Sequence, residues 1–129
     1  MWISVLRAKL HHVVVTETRL DYVGSLSVDA AFLEEAGLYP YERVDIYNVH
    51  NGARFSTYLI PAPTGSRIIG VNGAAARLAQ VGDRLIVVAF AWVRPDEVDL
   101  RHGAPRVLIF NSANEIVEVR GDRGWPFHR

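Results

Sequence analysis

The sequence predicts a mainly β fold, built as one compact barrel from 129 residues. About seven or eight short stretches rich in β-branched and aromatic residues are separated by Gly, Pro and Asn turn signals. Only two short segments have helical character, and strands and helices do not alternate as they do in parallel α/β sheets. Half of the residues are hydrophobic, which is enough for one core at this length. We expect a single domain over residues 1–129.

The N-terminal elements follow from alternation and capping signals. Residues 2–10 alternate between apolar and polar side chains, and residues 11–17 add a β-branched run, so both segments predict strand. Residues 25–28 predict a further short strand. A helix over residues 30–36 is expected next, because Asp29 is a good N-cap residue and a glycine follows the last helical position.

The clearest supersecondary signal is a hairpin with arms over residues 43–49 and 54–60. The Asn-Gly pair at 51–52 lies between the arms, and both residue types tolerate the positive φ angles of a tight turn. Pro61 and Pro63 are expected to end the second arm, because proline cannot donate to a strand ladder.

The second half of the chain contains the strongest predicted strand, residues 84–92. Its apolar run shows no polar face, which favours a central position in the sheet. The remaining predicted elements are a strand at 68–71, one or two helical turns at 74–79, and strands at 106–110 and 116–119. Residues 121–129 are polar and interrupted by Gly and Pro, which predicts a loose tail.

The composition excludes several functional classes. The formal net charge is zero, which disfavours binding to nucleic acid or to a membrane surface. The chain has no cysteine, so neither disulfides nor thiolate metal sites can form. The histidines lack metal-binding spacing, no apolar run reaches the ~18 residues of a membrane helix, and the N-terminus is charged too early for a signal peptide. We therefore expect a soluble cytoplasmic protein without a metal.

Lys9 is the single lysine among 14 basic residues; the other 13 are arginines. A compact, movable ammonium and a planar guanidinium suit different contacts, so retention of one lysine suggests a specific role. Chance retention on a strand surface is the alternative.

The Gly24-Ser25 pair can encode a backbone bond that cleaves itself. A serine hydroxyl can attack the preceding carbonyl and convert the amide into an ester. β-Elimination and hydrolysis then leave a pyruvoyl group, an electrophile that no ordinary side chain provides. Gly24 would help because it has no Cβ to obstruct the cyclic intermediate, and donors must stabilise the oxyanion. A plain turn between two strands is the alternative interpretation.

The second arm of the hairpin contains candidates for substrate binding. On a strand, Arg54, Ser56 and Tyr58 share one face. Arginine can hold a carboxylate with two parallel hydrogen bonds, and tyrosine can give or take a proton. Thr57 lies on the other face, so it meets the same site only if a loop wraps over the strand edge or a subunit boundary crosses there. A surface Arg and a core Tyr are the alternative.

Residues 72–76, Asn-Gly-Ala-Ala-Ala, open a short helix after a strand. Free N–H groups at such a start can bind an anion, and small side chains let a ligand approach the backbone. An asparagine cap followed by an alanine-rich turn is the alternative interpretation.

In combination these motifs resemble the aspartate 1-decarboxylase family. The resemblance runs in order from the N-terminus to about Pro95, and the segments that carry it are residues 9–11, 22–25, 51–52, 54–58, 65–69 and 71–76. It implies a double-psi β-barrel, assembled as a homotetramer with active sites between subunits. It also implies conversion of L-aspartate to β-alanine and CO2, a step toward pantothenate and coenzyme A, with maturation by an accessory protein as one option.

The resemblance implies cleavage between Gly24 and Ser25 into a β chain of residues 1–24 and an α chain of residues 25–129. The covalently bound pyruvoyl group derived from Ser25 would form a Schiff base with the substrate, without PLP or metal. Arg54 would hold one substrate carboxylate and Lys9 the other, and Tyr58 would return a proton.

The remaining roles are also implied by the resemblance. Thr57 would polarise the Gly24 carbonyl during self-cleavage and contact substrate, and Asn72 would take part in processing. Substrate positioning would fall to the backbone N–H groups of Gly73, Ala74 and Ala75, with Tyr22, His11 and Tyr47 in supporting positions. The family often has Trp where this chain has Tyr47, which can alter the pocket shape.

Two other functions remain open at this stage. The chain can be an uncleaved barrel that binds small anions or serves in assembly, or a pyruvoyl enzyme acting on a different amino acid. The pairing of Lys9 and Arg54 with two carboxylates favours aspartate.

Overall fold

The computed structural model describes residues 1–127. The elements are β1 (Ile3–Val14), β2 (Glu17–Arg19), β3 (Ser25–Asp29), α1 (Ala30–Ala36), β4 (Arg43–Asn48), β5 (Arg54–Ala62), β6 (Ile69–Asn72), a 3₁₀ helix (Gly73–Leu78), β7 (Arg84–Val93), β8 (Arg106–Phe110) and β9 (Ile116–Arg120). Within residues 1–127, no helix has the length and apolarity needed to cross a bilayer.

The nine strands form one sheet in the order β2-β6-β3-β5-β4-β7-β1-β8-β9. Three neighbouring pairs are parallel, namely β1 with β8, β2 with β6, and β3 with β5. The remaining pairs are antiparallel. β7 lies between β4 and β1, so the predicted central strand is confirmed.

The two ends of this strand order meet through the buried side chain of Asn114, in the turn between β8 and β9. Its Nδ2 donates to the carbonyls of Val14 (2.8 Å) and Arg67 (3.2 Å), and Arg67 lies just before β6. Its Oδ1 accepts from the Val14 amide at 2.7 Å. The sheet is therefore rolled around one core. The fold is mainly β with short helices, as predicted, and the double-psi connection of its strands stays a prediction.

The core is a single cluster to which most of the strands and α1 contribute. The largest fully buried side chains in it are Leu10, Leu26, Ile46, Leu59, Ile69, Leu85 and Leu108. Alternation along each strand turns the neighbouring residues outward. This outward face carries Lys9, His11, Tyr47, Arg54 and Tyr58 of the predicted site residues.

The N-terminal strand differs from its prediction. Residues 2–10 and 11–17 were expected as two segments, but β1 is one strand that pairs with β7 across register shifts near Leu6 and His11. At the second shift His12 has a positive φ of 67°, which bends the strand without ending it.

The α1 helix confirms its capping signals. Asp29 Oδ1 accepts a hydrogen bond from the Ala31 amide at 2.8 Å, and Gly37 ends the helix with a φ of 73°. Phe32, Leu33 and Ala36 form its buried side.

The hairpin between β4 and β5 is present, but its turn is not a two-residue Asn-Gly turn. The Gly52 amide donates to the Asn48 carbonyl, and Gly52 has positive φ whereas Asn51 does not. The loop therefore has four residues. The second arm also continues through Pro61 to Ala62. Pairing with β4 ends at Tyr58, so Pro61 has a strand on one side only, where proline is tolerated.

The C-terminal tail was expected to be loose, but residues 121–127 are anchored. Arg123 donates to the Glu34 carbonyl at 3.2 Å, and Trp125 Nε1 donates to the His102 carbonyl at 2.8 Å. Pro126 is buried. The polar composition hid these side-chain contacts to α1 and to a distant loop. Residues 128–129 of the predicted tail lie outside the described residues.

Candidate active site

Ser25 is the first residue of β3 and is completely buried, whereas Tyr22 and Val23 before it are exposed. Its Oγ accepts a hydrogen bond from Asn72 Nδ2 at 2.9 Å and donates to the Val23 carbonyl at 3.3 Å. Gly24 thus lies at the border between an exposed loop and the barrel. The hydroxyl next to it has a fixed direction and is shielded from water.

Asn72 is buried at the end of β6, directly opposite Ser25 in the antiparallel register. Its amide nitrogen also donates to Ser27 Oγ at 2.9 Å. Asn72 makes no side-chain cap to the following 3₁₀ helix. The alternative interpretation as a helix cap is therefore wrong, because the amide is used across the sheet.

Gly73 contacts Gly24 backbone to backbone. A Cβ at Gly73 would lie 2.6 Å from Gly24 Cα and 2.8 Å from Gly24 N, and Gly73 has a φ of 69°. Both the space and the backbone angle therefore require glycine here. After it, Ala74 is exposed and Ala75 is half-buried at the start of the 3₁₀ helix.

A second group of predicted residues lies in one row across the outer face. Arg54 pairs with Tyr47 on β4, Tyr47 pairs with Ile86 on β7, and Ile86 pairs with His11 on β1. The Arg54 guanidinium lies 4.3 Å from the centre of the Tyr47 ring. Lys9 is two residues from His11 and faces the same side. The register thus gathers one guanidinium, one ammonium and two rings on one surface.

Tyr58 connects the two groups. It shares the outer face of β5 with Arg54, and its ring lies 6.4 Å from that of Tyr41. The parallel pairing of β3 and β5 begins at Leu26 with Leu59, so Ser25 and Tyr58 precede it at the same level. Thr57 pairs with the buried Val44 and faces the opposite side of the strand, as the alternation predicts.

Lys9 of the second group lies far from Ser25 within one chain. β1, which carries Lys9, is separated from β3 by β7, β4 and β5. Four strand spacings amount to about 19 Å along the sheet. Outward-facing side chains on a convex barrel also diverge. We therefore expect that Ser25 and Lys9 of a single chain do not contact the same small molecule.

The surface around Lys9 is electrostatically positive. The His11 and His12 rings stack with centroids 4.1 Å apart. Partial burial lowers the pKa of both imidazoles; the other ring and then Lys9 and Arg120 lower that of His11 further. For His12, Arg84 and then Lys9 add to the effect of burial on the pKa. This surface is suited to an anionic ligand.

A polar contact missed by the sequence reasoning fixes the hairpin loop. Buried Asn48 donates through Nδ2 to the Leu78 carbonyl at 3.1 Å and to Asp83 Oδ2 at 2.9 Å. The bond from Asn48 is the main reason why the pKa of Asp83 is lowered. Asn48 thereby joins the strand that carries Tyr47 to the end of the 3₁₀ helix.

Two further features complete the site. The Arg19 guanidinium lies 5.6 Å from the centre of the Tyr22 ring, in the exposed loop before Gly24.

Among residues 1–127, no cluster of three or more His, Asp or Glu side chains is arranged to hold a metal ion. Ser27 was also missed, although its position two residues after Ser25 on a predicted strand was a usable signal.

The family model and the curated relatives that this chain resembles agree with one another. A sequence model of the family described as "Aspartate decarboxylase" matches residues 1–117. The aspartate 1-decarboxylase of Coprothermobacter proteolyticus is 53% identical over 121 residues, which cover 93% of this chain and 97% of the relative. That of Maricaulis maris is 49% identical, with 91% and 95% covered. A solved structure, the computationally designed msDPBB_sym2 protein, matches 69% of this chain and 100% of its own with a TM-score of 0.44 and 17% identity.

Proposed function

Because this chain belongs to the aspartate decarboxylase family, we propose that it decarboxylates L-aspartate to β-alanine and CO2 after cleaving its own backbone between Gly24 and Ser25. The resemblance noted in the sequence is thereby confirmed at the level of the family. One observation supports the proposal of self-cleavage. The buried Ser25 hydroxyl is held by Asn72 beside a glycine whose backbone packs on Gly73.

Self-cleavage would proceed in three steps, an acyl shift, an elimination and a hydrolysis. Ser25 Oγ bonds to the Gly24 carbonyl carbon, the bond from that carbon to the Ser25 nitrogen breaks, and the nitrogen takes a proton. Loss of the Ser25 Cα proton then breaks the Cβ–Oγ bond and leaves a Gly24 carboxylate. One water finally replaces the nitrogen, which leaves as ammonia.

The surroundings of Ser25 fit a small ketone at this position. Gly73 presents no side chain toward the new chain end, and the Asn72 amide offers a hydrogen-bond donor. A pyruvoyl group bound there would supply an electron sink for loss of a carboxylate. The chain's own residues have the other tasks.

We assign the substrate contacts to the second group. Arg54 would hold one carboxylate of aspartate through paired hydrogen bonds, with its plane fixed by Tyr47. Lys9 would hold the other, in the positive field that also lowers the pKa of His11. Tyr58 would return a proton to the substrate carbon, since it lies level with Ser25. Thr57 would polarise the Gly24 carbonyl, which requires the loop before Ser25 to pass over the strand edge or a subunit boundary to cross there, because Thr57 faces the other side of β5.

We infer that each active site is shared between subunits of a homotetramer. Lys9 on β1 and Ser25 on β3 are separated by three strands in one chain. One site would therefore combine Ser25 of one copy with Lys9 of a second copy. The neutral charge and absence of cysteine support a cytoplasmic location.

Subunit sharing can be tested by mixing two inactive variants. We expect Lys9→Ala and Ser25→Ala to be inactive alone and partly active when co-expressed. In a mixed oligomer, some sites combine an intact Ser25 from one chain with an intact Lys9 from another. Activity that stays at the level of the single variants would show that both residues act from one chain.

Self-cleavage is tested by the intact mass of the purified protein under denaturing conditions. We expect two species, residues 1–24 and residues 25–129, the larger without an N-terminal amine, and formation of β-alanine from aspartate. Ser25→Ala should give one chain without activity. A single wild-type species that persists after heating and after addition of cell extract as a source of maturation factor would instead support the uncleaved anion-binding barrel. Equal turnover of glutamate would contradict the choice of aspartate.

A further inference from the structure

We propose that Ser27 is a positioning residue for self-cleavage, which holds the Asn72 amide with its N–H group toward Ser25 Oγ. The inference rests on the proposed self-cleavage. It is carried by one bridging arrangement, in which Asn72 Nδ2 lies 2.9 Å from Ser25 Oγ and 2.9 Å from Ser27 Oγ. Neither the family comparison nor the sequence motifs assign Ser27 a role.

The sheet register explains why Ser27 can reach this amide. Ser25 and Ser27 lie two residues apart on β3 and therefore face the same side. On the antiparallel neighbour β6, Asn72 is opposite Ser25 and Gly70 is opposite Ser27. A Cβ at Gly70 would lie 3.3 Å from Ser27 Cβ, so glycine leaves the space beside Ser27 free. The Asn72 side chain extends into the gap between the two hydroxyls.

Both hydroxyls are needed to fix the amide. A primary amide has two N–H donors, and here each serine accepts one of them. Without the Ser27 hydroxyl, one N–H of the buried Asn72 would lose its only side-chain acceptor apart from Ser25. The amide could then turn by half a rotation and present its oxygen to Ser25 Oγ.

The orientation of the amide matters most when Oγ departs. In the ester formed by the acyl shift, Oγ joins Ser25 Cβ to the Gly24 carbonyl carbon. Elimination removes the Cα proton, forms the Cα–Cβ double bond and breaks the Cβ–Oγ bond. Oγ keeps the electron pair as part of the Gly24 carboxylate. An N–H donor at Oγ stabilises this growing charge, whereas an amide oxygen there would repel it.

The experiment follows cleavage of freshly purified precursor by intact mass, with and without hydroxylamine. The variants are Ser27→Ala and the matched pair Ser27→Thr and Ser27→Val, which have the same shape but differ in the hydroxyl. Ser4→Ala, an exposed strand serine on β1, is the control. Hydroxylamine splits the ester into a Gly24 hydroxamate and a 25–129 chain that begins with an N-terminal serine, which distinguishes the trapped ester from the pyruvoyl product.

We expect Ser27→Ala and Ser27→Val to cleave about tenfold more slowly than wild type, the effect of one misplaced hydrogen bond, and to accumulate trapped ester. Ser27→Thr and Ser4→Ala should cleave at the wild-type rate. Equal rates for Ser27→Thr and Ser27→Val would overturn the proposal, and this pair decides even where Ser27→Ala does not fold. Slow cleavage without trapped ester would overturn the assignment to Oγ departure. A wild-type precursor that never cleaves would instead refute the proposed function.

Discussion

At the scale of single residues, the contact between Gly24 and Gly73 sets the tightest requirement of the site. The space beside Gly73 is filled by the backbone of Gly24 and by the Tyr22 carbonyl. Any side chain at position 73 would push the scissile bond away from the barrel, in addition to the strain of a positive φ. The two glycines therefore act as a pair, and the second was visible in the sequence only as part of a helix start.

This contact leads to a prediction for Gly73→Ala. The new Cβ would lie 2.6 Å from Gly24 Cα, so we expect self-cleavage to slow by more than about tenfold and the precursor to lose thermal stability. Gly65→Ala is the matched control, because Gly65 also has a positive φ, of 85°, but open space around it. Cleavage time courses and thermal unfolding of both variants test the prediction, and equal behaviour would leave backbone strain as the whole effect.

Tyr58 allows cleavage and turnover to be separated. Tyr58→Phe keeps the ring beside Tyr41 and removes only the hydroxyl, so we expect normal cleavage. Decarboxylation should fall by about 10²- to 10⁴-fold, the usual contribution of a positioned proton donor. Intact mass and a β-alanine assay on the same preparation measure both. Full activity would remove Tyr58 as the donor.

At the scale of elements, the hairpin loop and the 3₁₀ helix are connected by a buried amide. Asn48 satisfies the Leu78 carbonyl and Asp83, and its Oδ1 accepts from the His50 amide at 2.9 Å. These bonds fix the end of β4 and with it the position of Tyr47. The loop is therefore determined by tertiary contacts more than by its Asn-Gly pair.

We expect Asn48→Ala to lower the free energy of unfolding by about 1–3 kcal/mol, because buried partners lose their hydrogen bonds. Since Asn48 lowers the pKa of Asp83, this carboxylate stabilises the fold above its ordinary value of 3.8 and loses that contribution as pH falls. As the pH falls, the free energy of unfolding of Asn48→Ala should therefore decrease less than that of the protein with Asn48. Urea unfolding of the uncleaved Ser25→Ala background measures both effects. Asn51→Ala, an exposed donor to the same carbonyl, should cost clearly less.

Local signals in the sequence predicted the elements that depend on local contacts. The α1 helix was found because Asp29 and Gly37 cap it within the segment itself. The conformation of the hairpin turn was not predicted correctly, because the Asn51 side chain donates to the Leu78 carbonyl, far along the chain. The packing of residues 121–127 was missed for the same reason, since its partners come from distant parts of the chain.

At the scale of the whole molecule, the sequence proposed the candidate site residues but did not predict their division into two groups. Only the strand order shows that Lys9, His11, Tyr47 and Arg54 form one surface while Ser25 belongs to another. Periodicity predicts on which face of its strand each residue lies, whereas the distance between residues on different strands depends on which strands are neighbours.

The positive surface around β1 also predicts how stability depends on pH. Because the pKa values of His11 and His12 are lowered in the folded chain, the unfolded chain binds more protons below the ordinary value of 6.5. Stability should therefore rise with pH up to about 6.5 and be fully present above it. His12→Asn, which tolerates the positive φ, should reduce this slope by about half.

Thermal unfolding of the uncleaved Ser25→Ala background between about pH 5 and pH 8 measures this slope. Ser4→Ala, at an exposed serine that does not titrate, is the control and should leave the slope unchanged. An unaltered slope in His12→Asn would mean that other groups set the acid limit.

The proposed cleavage of the Gly24–Ser25 bond would have a lasting consequence for the enzyme. The fragment before the bond contains β1, which is clamped between β7 and β8 of the fragment after it. The proposed nick would therefore leave two pieces that strand pairing holds together while the protein is folded. Once melted, however, the pieces must find each other by diffusion, so recovery depends on concentration. The uncleaved precursor would fold as one polymer, so the proposed cleavage would be a one-way step in the life of the molecule.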